Sequence, residues 1–476
     1  MTYNKLYLVN PPNPLNMKGF PGSLLSLDLW IRNNCPGSNP IIIDEEDTET
    51  GLRESLEGKI VDPNEKAYFG ITCTTATYQD ALESARTIKQ LSPSSQIILG
   101  GHHVDGQERI ILENHPEIDY TVSGEGEKAL EAIMKGDFNS LGISYRGNIT
   151  SERGTRLTNK ELNTLDISQF NLEYQSSQFE ETNLVTARGC PMGCSFCAVS
   201  KDKVVSQDQD LIVSQIDYIV KNSDDSPTIA VQDNFFAQNP ERAKQVARKI
   251  IEYRDRTGNQ FDWNVQTRVE QFADPELPKL LSEAGCSAVY FGIENFDPRM
   301  LEILNKAHNR QNYLELTKRA ISNCYENGIQ PHLDMQVGIP GEDKETERIN
   351  EESLREIGEY TKRNGNVPIV FPSLSVVYPA TQFYYEMINS GIPNDIYELF
   401  TKWERENPEY RNMLHGYFAH GNGGIPRGLL NHEELLEGRI SVKMDNLLEV
   451  KRYVDRLRNI DNVKVHDFTN PIREKG

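Results

Sequence analysis

The sequence is short of basic residues and of long apolar runs, and each shortage excludes a class of protein. Lysine and arginine number 50 against 71 aspartates and glutamates, which gives a net charge of −21. That charge repels phosphate backbones and anionic membrane surfaces, so we expect no nucleic-acid partner. No window approaches the roughly 20 apolar residues that span a bilayer. The first residues, MTYNKLYLVNPP, lack the blocks of a signal peptide. We therefore expect a cytoplasmic protein without a transmembrane segment.

Cysteine is also scarce, and its distribution argues against a disulfide framework. Three of the seven cysteines fall between positions 190 and 197, and the others, at 35, 73, 286 and 324, stand singly. An odd number with this clustering favours a reducing compartment. Cys286, between a predicted helix and strand, is expected to be a packing residue, whereas Cys324 is predicted either to join the core or to face a cavity.

Apolar runs and helix-length segments alternate from Lys5 onward, which predicts parallel sheets with crossover helices. At 476 residues the chain is too long for one core. The predicted fold class is α/β, with a Rossmann-like parallel-sheet domain over 1–136 and a partial (β/α) barrel of the TIM type over 183–377. Residues 137–182 are predicted to form a linker with a hairpin over 142–154. Ligands of such sheets bind at the carboxyl ends of the strands.

A mainly helical region is predicted over 378–476, where it caps the barrel and contributes to the substrate pocket. Four of its aromatic and histidine side chains are candidate substrate contacts, with helix packing as the alternative for most of them: Tyr410, His415, Tyr417 and His420.

The stretch RGCPMGCSFC places Cys190, Cys194 and Cys197 in a loop rich in glycine and proline. Such a loop can wrap three thiolates around a compact centre. A structural zinc ion takes four ligands, and the following residues, AVSKDK, contain no fourth cysteine or histidine. A [4Fe-4S] cluster with three protein thiolates leaves one iron open to an external ligand. Unligated or redox-active thiols are the alternative.

The C-x3-C-x2-C spacing, with Phe196 before the third cysteine, resembles the motif of radical S-adenosylmethionine (SAM) enzymes. The resemblance implies that Cys190, Cys194 and Cys197 bind a [4Fe-4S] cluster and that the open iron chelates SAM. Electron transfer then cleaves SAM to a 5'-deoxyadenosyl radical, with flavodoxin or ferredoxin as the kind of reductant required. The cofactors carry the chemistry, and the protein positions and shields them.

The same resemblance implies SAM contacts at the ends of successive strands. Asp233 is expected to receive the SAM ammonium group, Arg268 to hold its carboxylate or ribose, and Glu294 to accept the ribose hydroxyls. Gly338 and Ile339, in QVGIPGED, resemble the glycine-containing strand edge that lies beside the adenine of SAM in this family. Phe196 is also expected to contact SAM. For each of these residues taken alone, the alternative interpretation is an ordinary surface or strand-end residue that binds no ligand.

Lys306 in ILNKAHN also resembles a family position. The expectation for it is nevertheless an exposed lysine at the end of a helix.

The first domain resembles the cobalamin-binding domain that precedes many radical SAM barrels, through VNPPNP, GFPGSLLSLDLWIRNN, ILGGHHV and DYTVSGEGEKAL. The motif D-x-H-x-x-G, which supplies a histidine to cobalt, is absent, as it is from many radical SAM relatives. For His103 a structural role is the alternative. The resemblance implies a cradle for the nucleotide tail of a corrinoid formed by these residues: Thr74, Thr75, Gly100, Gly101, His103, Ser123, Gly124, Glu125 and Gly126.

Three functions follow from these resemblances. The leading one is cobalamin-dependent methylation of an unactivated carbon in a small-molecule or lipid-like substrate, with methylcobalamin as donor and a second SAM regenerating it. The alternative is a cobalamin-independent radical dehydration, cyclisation, carbon-carbon coupling or epimerisation, with the first domain as scaffold. The third is a non-catalytic iron-sulfur or corrinoid sensor. A methylthiotransferase is excluded, because it requires three more cysteines in the first domain.

Overall fold

The computed structural model contains two compact α/β units, Met1–Phe179 with Tyr378–Ala380, and Glu180–Val377 with Thr381–Gly476. Within the described ranges, no helix is long and apolar enough to cross a membrane. The four candidate substrate contacts between 410 and 420 lie outside the described residues. The structure describes residues 4–12, 22–44, 53, 66–169, 181–223, 226–307, 310–362, 366–407, 425–426, 429–430, 432–437, 439–440 and 443–466.

The first unit is built on a six-stranded sheet in the order β2-β1-β3-β4-β5-β6, in which only β6 is antiparallel to its neighbour. Its strands are β1 (Lys5–Asn10), β2 (Ile41–Asp44), β3 (Ala67–Thr72), β4 (Gln96–Gly100), β5 (Tyr120–Val122) and β6 (Ile143–Tyr145). Its helices are α1 (Gly22–Asn34), α2 (Tyr78–Leu91), α3 (Glu108–Asn114), α4 (Gly126–Met134) and α5 (Asn159–Leu162).

The central strands of this sheet are buried on both faces, as the continuous apolar runs predict. Phe69 on β3 and Leu99 on β4 are fully buried. Helix α2 packs on them because Leu82, Ala85 and Ile88 recur at helical spacing and join the same apolar core.

The segment predicted as a hairpin over 142–154 is only partly one. Tyr145 and Asn148 close a tight turn, but Ile143–Tyr145 pairs with β5 and extends the main sheet. The reason is burial, because Ile143 and Ser144 are almost completely inaccessible. The start of the predicted linker is therefore part of the first unit.

The second unit is built on a seven-stranded parallel sheet in the order β15-β14-β13-β12-β11-β10-β7, and a separate antiparallel pair, β8 with β9, carries the cysteine loop. Its strands are β7 (Glu181–Leu184), β8 (Ala187–Arg188), β9 (Val205–Ser206), β10 (Thr228–Val231), β11 (Asp262–Thr267), β12 (Cys286–Glu294), β13 (Gln330–Val337), β14 (Ile369–Leu374) and β15 (Lys464–Val465).

The helices of this unit follow the strands in the predicted alternation. They are α6 (Gln209–Lys221), α7 (Pro240–Thr257), α8 (Val269–Phe272), α9 (Glu276–Glu283), α10 (Pro298–Ile303), α11 (Tyr313–Glu326), α12 (Lys344–Lys362), α13 (Gln382–Asn389), α14 (Ile396–Glu406), α15 (His432–Leu436) and α16 (Met444–Arg458). The predicted fold class, a Rossmann-like domain followed by a partial barrel and a mainly helical region, is confirmed. Strand β15 was not predicted, because two residues carry no periodic signal.

The sheet of the second unit has two different faces. Alternate residues of β12 are fully buried on the outer face, where Phe291 meets Phe272 of α8 edge-to-face at 5.1 Å. The intervening Tyr290 and Gly292 are only partly buried and point to the other face, here called the inner face. Because the strands are parallel and in register, polar residues at their carboxyl ends come together at one edge of the sheet.

Candidate active site

The cysteine loop runs between β8 and β9 and is pinned to two helices. The Ser195 backbone N–H donates to the Leu304 carbonyl at the end of α10, at 3.0 Å. The Phe383 N–H at the start of α13 donates to the Ser195 carbonyl, at 3.1 Å. A Cβ atom on Gly193 would lie 3.0 Å from the Asn305 side chain. The loop therefore has a fixed path that leaves little room for a side chain at this glycine.

The charges of the cysteine thiolates in the loop change the pKa values of the neighbouring cysteines. Burial and the neighbouring thiolate charge raise the pKa of Cys190, and the same causes raise the pKa of Cys197 to about 11. The positive charge of Lys306 opposes this rise in both pKa values but does not cancel it. Among the described residues, no three Cys, His, Asp or Glu side chains form a ligand set for a single metal ion. The thiolates of a cluster bind different irons and so lie farther apart than those of a mononuclear site.

Asp233 is fully buried at the base of this loop, where its carboxylate is engaged by the protein. One oxygen accepts the backbone N–H groups of Thr186 and Ala187, at 2.6 and 2.7 Å, and the other accepts the Thr186 hydroxyl at 2.5 Å. Burial raises the pKa of Asp233, and the nearby Arg242, at 3.6 Å, opposes that rise. The carboxylate thus fixes the chain as it enters β8.

Asn234 was not singled out from the sequence, yet it lies closer to the loop surface. It is exposed, and its side-chain oxygen accepts the backbone N–H of Gly189 at 3.2 Å. Since an isolated asparagine after a strand is common, the sequence carried no signal that could have found it.

Arg268 brings a positive charge to the cysteine loop from the end of β11. Its Nη1 lies 3.9 Å from the Cys194 sulfur, and its Nη2 donates to Glu270 at 2.9 Å and to the Lys306 carbonyl. Burial alone would lower the pKa of Arg268, but the bond to Glu270 and the charges of Glu270 and Cys194 raise it. A permanent cation therefore faces Cys194.

Lys306 and Glu294 form a second ion pair beside the loop. The two residues are only 8% exposed, their charged groups lie 2.9 Å apart, and Gln336 donates to the other Glu294 oxygen at 2.9 Å. The expectation of an exposed Lys306 is wrong, because the chain turns inward after α10 and its N–H bonds to the Leu301 carbonyl at 3.0 Å. Although burial opposes it, the charges of Glu294 and Cys194 raise the pKa of Lys306.

Gly338 and Ile339 directly follow β13, and their backbone N–H groups both donate to Glu342, at 2.5 and 3.1 Å. Gly338 has a φ of 73°, which favours glycine. The Ile339 side chain belongs to an apolar cluster against which Phe196 packs. The structure therefore brings these three predicted residues to one side of the cysteine loop.

In the first unit, the predicted cradle residues at the ends of β3 and β4 remain accessible. Thr74 is exposed, and Gly100 and Gly101 are partly buried. Gly101 has a φ of 110°, and a Cβ atom there would lie 2.4 Å from the Cys73 carbonyl, so only glycine fits. These positions form an open edge of backbone that a ligand can approach.

His103 and Thr75 are instead directed into the first unit. His103 is 1% exposed, its Nδ1 lies 3.1 Å from the Thr75 hydroxyl, and its ring packs 4.1 Å from that of Tyr78. Burial lowers the pKa of His103 to about 3, which keeps the ring neutral. In this arrangement the imidazole is a packing and hydrogen-bonding group.

The turn over 123–126 is covered by the following segment of the same unit. Ser123 donates to Glu108, and the Gly124 N–H donates to Asp105 at 2.8 Å. Glu125 pairs with Arg156 at 3.0 Å. Gly126 begins α4, where a Cβ atom would approach Leu27 at 3.1 Å. The polar groups of this turn are therefore occupied within the protein.

Two family profiles match the chain. Residues 184–352 match the radical SAM superfamily, and residues 47–134 match the B12 binding domain. The first range contains the cysteine loop and both ion pairs beside it. The second contains the ends of β3, β4 and β5.

Two curated relatives have different named activities. An uncharacterized methyltransferase of Pyrococcus horikoshii is 28% identical over 375 residues, 72% of this chain and 76% of that protein. The anaerobic magnesium-protoporphyrin IX monomethyl ester cyclase of Rubrivivax gelatinosus is 26% identical over 303 residues, 58% of this chain and 52% of the cyclase. The chain thus spans about half the length of the cyclase.

Among solved structures, the radical SAM methyltransferase TsrM of Kitasatospora setae, with cobalamin and a [4Fe-4S] cluster bound, has a TM-score of 0.64. The match covers 82% of this chain and 78% of that one at 19% identity. At this identity the similarity shows a shared fold.

Proposed function

Since the chain is a radical SAM enzyme that carries a B12-binding domain, we propose that it methylates an unactivated carbon of a small-molecule or lipid-like substrate in a cobalamin-dependent reaction. Its cofactors are a [4Fe-4S] cluster, SAM and cobalamin. The observation that carries the proposal is the loop of three cysteines flanked by two buried cations, in a chain that also holds the B12-binding domain. The relative named as an uncharacterized methyltransferase, which matches 72% of this chain, supports methyl transfer as the reaction class.

The cysteine loop fits the cluster that this function needs. When bound, the cluster supplies an electron to SAM and cobalamin supplies the transferable methyl group. Cys190, Cys194 and Cys197 would hold the cluster as thiolates. Arg268 and Lys306 stabilise negative charge on those sulfurs, because both remain protonated beside Cys194.

In this proposal, some residues around the loop contact SAM directly, and Asp233 positions the loop that binds the cluster. Arg268 and Glu294 present charged groups at the strand ends, where SAM carboxylate and ribose hydroxyls would bind. Gly338 and Ile339 offer backbone and apolar surface beside Phe196 for the adenine. Asp233 acts on SAM through the protein, by fixing Thr186 and Ala187 at the entrance to the loop.

In the first unit, the ends of β3 and β4 are more accessible to cobalamin than the rest of the proposed cradle. Thr74, Gly100 and Gly101 leave open backbone there, whereas Ser123, Gly124 and Glu125 are engaged by neighbouring side chains. The nucleotide tail of a corrinoid would therefore approach the β3–β4 edge. His103 supports that edge through Thr75 rather than ligating cobalt.

A second candidate is the cobalamin-independent radical reaction, and one similarity bears on the form that it would take. The cyclase of Rubrivivax gelatinosus matches 58% of the chain, which makes a radical cyclisation the best form of this alternative. Both candidates need a one-electron reductant, such as flavodoxin or ferredoxin.

The deciding experiment measures cobalt and 5'-deoxyadenosine on the same preparation. The protein is purified anaerobically, reconstituted with iron and sulfide, supplied with hydroxocobalamin and desalted. About one cobalt beside about four irons per chain, together with 5'-deoxyadenosine from SAM and dithionite, is the expected result. Iron and 5'-deoxyadenosine without cobalt would favour the second candidate. Failure to form 5'-deoxyadenosine would contradict both.

A further inference from the structure

Four rings form a continuous row on the inner face of the second sheet. Tyr290, His332, Phe371 and His466 come from β12, β13, β14 and the end of β15. Their ring centroids are 4.5, 5.3 and 4.9 Å apart in that order, and the last two pairs are stacked within 12° and 27°. We call these four residues the ring row. All four are partly buried, whereas Phe291, Leu333 and Val370, which lie next to them on the outer face of β12, β13 and β14, are completely buried.

One carboxyl group lies next to the ring row, and none of the described residues pairs with it. Asp334 is the next inner-face residue of β13, in register with Gly292 on one side and Phe371 on the other. Within the described part of the chain, its carboxyl group has neither a hydrogen bond nor an ion pair. It is partly accessible, so its oxygens can still be reached. Burial and the charge of Glu294 raise the pKa of Asp334 to about 7, and Lys306 opposes the rise.

The charged side chains nearest to Asp334 are paired with each other and not with Asp334. Glu294 is balanced by Lys306 at 2.9 Å, and Gly292 makes room for that pair, because a Cβ atom there would lie 2.8 Å from the Glu294 oxygen. His332 carries no compensating charge, since burial and the charges of His466 and Lys464 lower its pKa to about 4. Its Nδ1 is buried and has no hydrogen-bond partner among the residues that the structure describes.

We infer that the inner face binds the methyl acceptor and that the acceptor joins a flat unsaturated ring to an amino group. The ring packs on the ring row, and the amino group donates to Asp334. This inference rests on the proposed function, because it treats the inner face of the radical SAM sheet as the place of the acceptor. An aromatic surface favours a flat ring, and a carboxylate without a counter-charge favours an ammonium group.

Binding of two matched probes tests this inference without knowledge of the natural substrate. The full-length enzyme, reconstituted with cluster and loaded with SAM and hydroxocobalamin, is dialysed against 2-naphthylmethylamine or 2-naphthylmethanol. The probes share the ring and differ in the charged group. The amine is expected to bind about tenfold more tightly, which is the effect of one partly buried charge-assisted bond.

Variants then locate the preference for the amine. Asp334→Asn is expected to remove the tenfold preference, and Phe371→Leu to weaken both probes equally. Asp262→Asn is the matched control, since Asp262 is an exposed aspartate at the start of β11 in the same sheet. Iron content and SAM binding of each variant show whether it is folded.

Equal binding of the two probes, or an amine preference that persists in folded Asp334→Asn, would overturn the inference. So would the absence of any probe binding. These outcomes are separate from failure of the proposed function, which is measured by cobalt content and 5'-deoxyadenosine formation without any acceptor. An enzyme that forms 5'-deoxyadenosine but shows no amine preference keeps the proposed function and loses only this inference.

Discussion

The two sheets of this protein use the polar residues at their strand ends in opposite ways. In the first unit, the groups after β3, β4 and β5 bind one another, as His103 does with Thr75 and Gly124 with Asp105. In the second unit, Arg268 and Lys306 carry their charge to Cys194. A place at the carboxyl edge is therefore insufficient to define a ligand site. Polar groups have protein partners at both edges, so what distinguishes the second edge is that its paired cations also lie beside a thiol loop.

The largest effect is expected from a substitution in the cysteine loop at the carboxyl edge of the second sheet. Cys194→Ser removes one of the three thiolates, and serine oxygen is a poorer ligand for iron. We expect the reconstituted variant to lose most of its iron and all formation of 5'-deoxyadenosine. Iron and sulfide analysis and chromatography of the SAM products measure this.

The control for that variant is Cys286→Ser, which changes a buried cysteine outside the loop. It is expected to keep its iron. If Cys194→Ser also retained a full cluster, the assignment of the loop as the cluster site would be wrong.

The next largest effect concerns the buried ion pair beside the loop. Lys306→Met leaves the Glu294 carboxylate in the protein without its cation, which costs about 3 kcal/mol of the free energy of unfolding. The double variant Lys306→Met with Glu294→Gln is expected to recover most of that loss, because no unpaired charge remains. Urea unfolding at pH 7.5 measures both variants.

A matched surface pair sharpens this result. Lys221→Met breaks an exposed pair with Asp217 and is expected to leave the free energy of unfolding almost unchanged, because water screens that pair. A similar cost for Lys306→Met would contradict its burial.

A third prediction concerns the first edge and uses pH. His103 has its pKa lowered to about 3 by burial, while the unfolded chain has the ordinary value near 6.5. The unfolded state therefore binds more protons below pH 6.5, and this contribution to stability is lost as the pH falls from 6.5 toward 3. Between pH 7.5 and 5, His103 should lower the free energy of unfolding by about 2 kcal/mol.

The adjacent His102 provides the control, because it is exposed. His102→Gln should retain the loss of stability between pH 7.5 and 5, whereas His103→Gln should lack most of it. Urea unfolding at the two pH values measures the difference. Equal pH dependence in both variants would mean that His103 is accessible to protons in the folded protein.

The order of strands and helices could be predicted from the sequence because it depends on local patterns. Helix α2, for example, coincides with one of the helix-length segments that alternate with apolar runs in the sequence. Strand β15 and the pairing of Ile143–Tyr145 could not be predicted, since short strands are selected by contacts that are distant in sequence. The fold class was therefore accessible from the sequence, but the edges of the sheets were not.

The candidate site was predictable only as a set of residue types. The cysteine spacing and the strand-end residues could be read directly, but the partners of each side chain depend on the fold. Asp233 illustrates this, because its carboxylate is bonded to Thr186 and Ala187, and no sequence pattern indicates that. Lys306 illustrates the converse, since a turn after α10 buries a lysine that looked exposed.

The smallest expected effect tests whether the cation at the second edge tunes the cysteine loop. Arg268→Gln removes a buried positive charge 3.9 Å from the Cys194 sulfur, so reduction of a bound cluster becomes less favourable. Glu270 balances part of that charge, so we expect the midpoint potential to become more negative by tens of millivolts. Redox titration followed by electron paramagnetic resonance measures the shift without turnover. Arg248→Gln, at an exposed arginine that also pairs with a glutamate, should leave the potential unchanged. An unchanged potential in Arg268→Gln would mean that the two edges differ in geometry but not in their electrostatic effect on the cofactor.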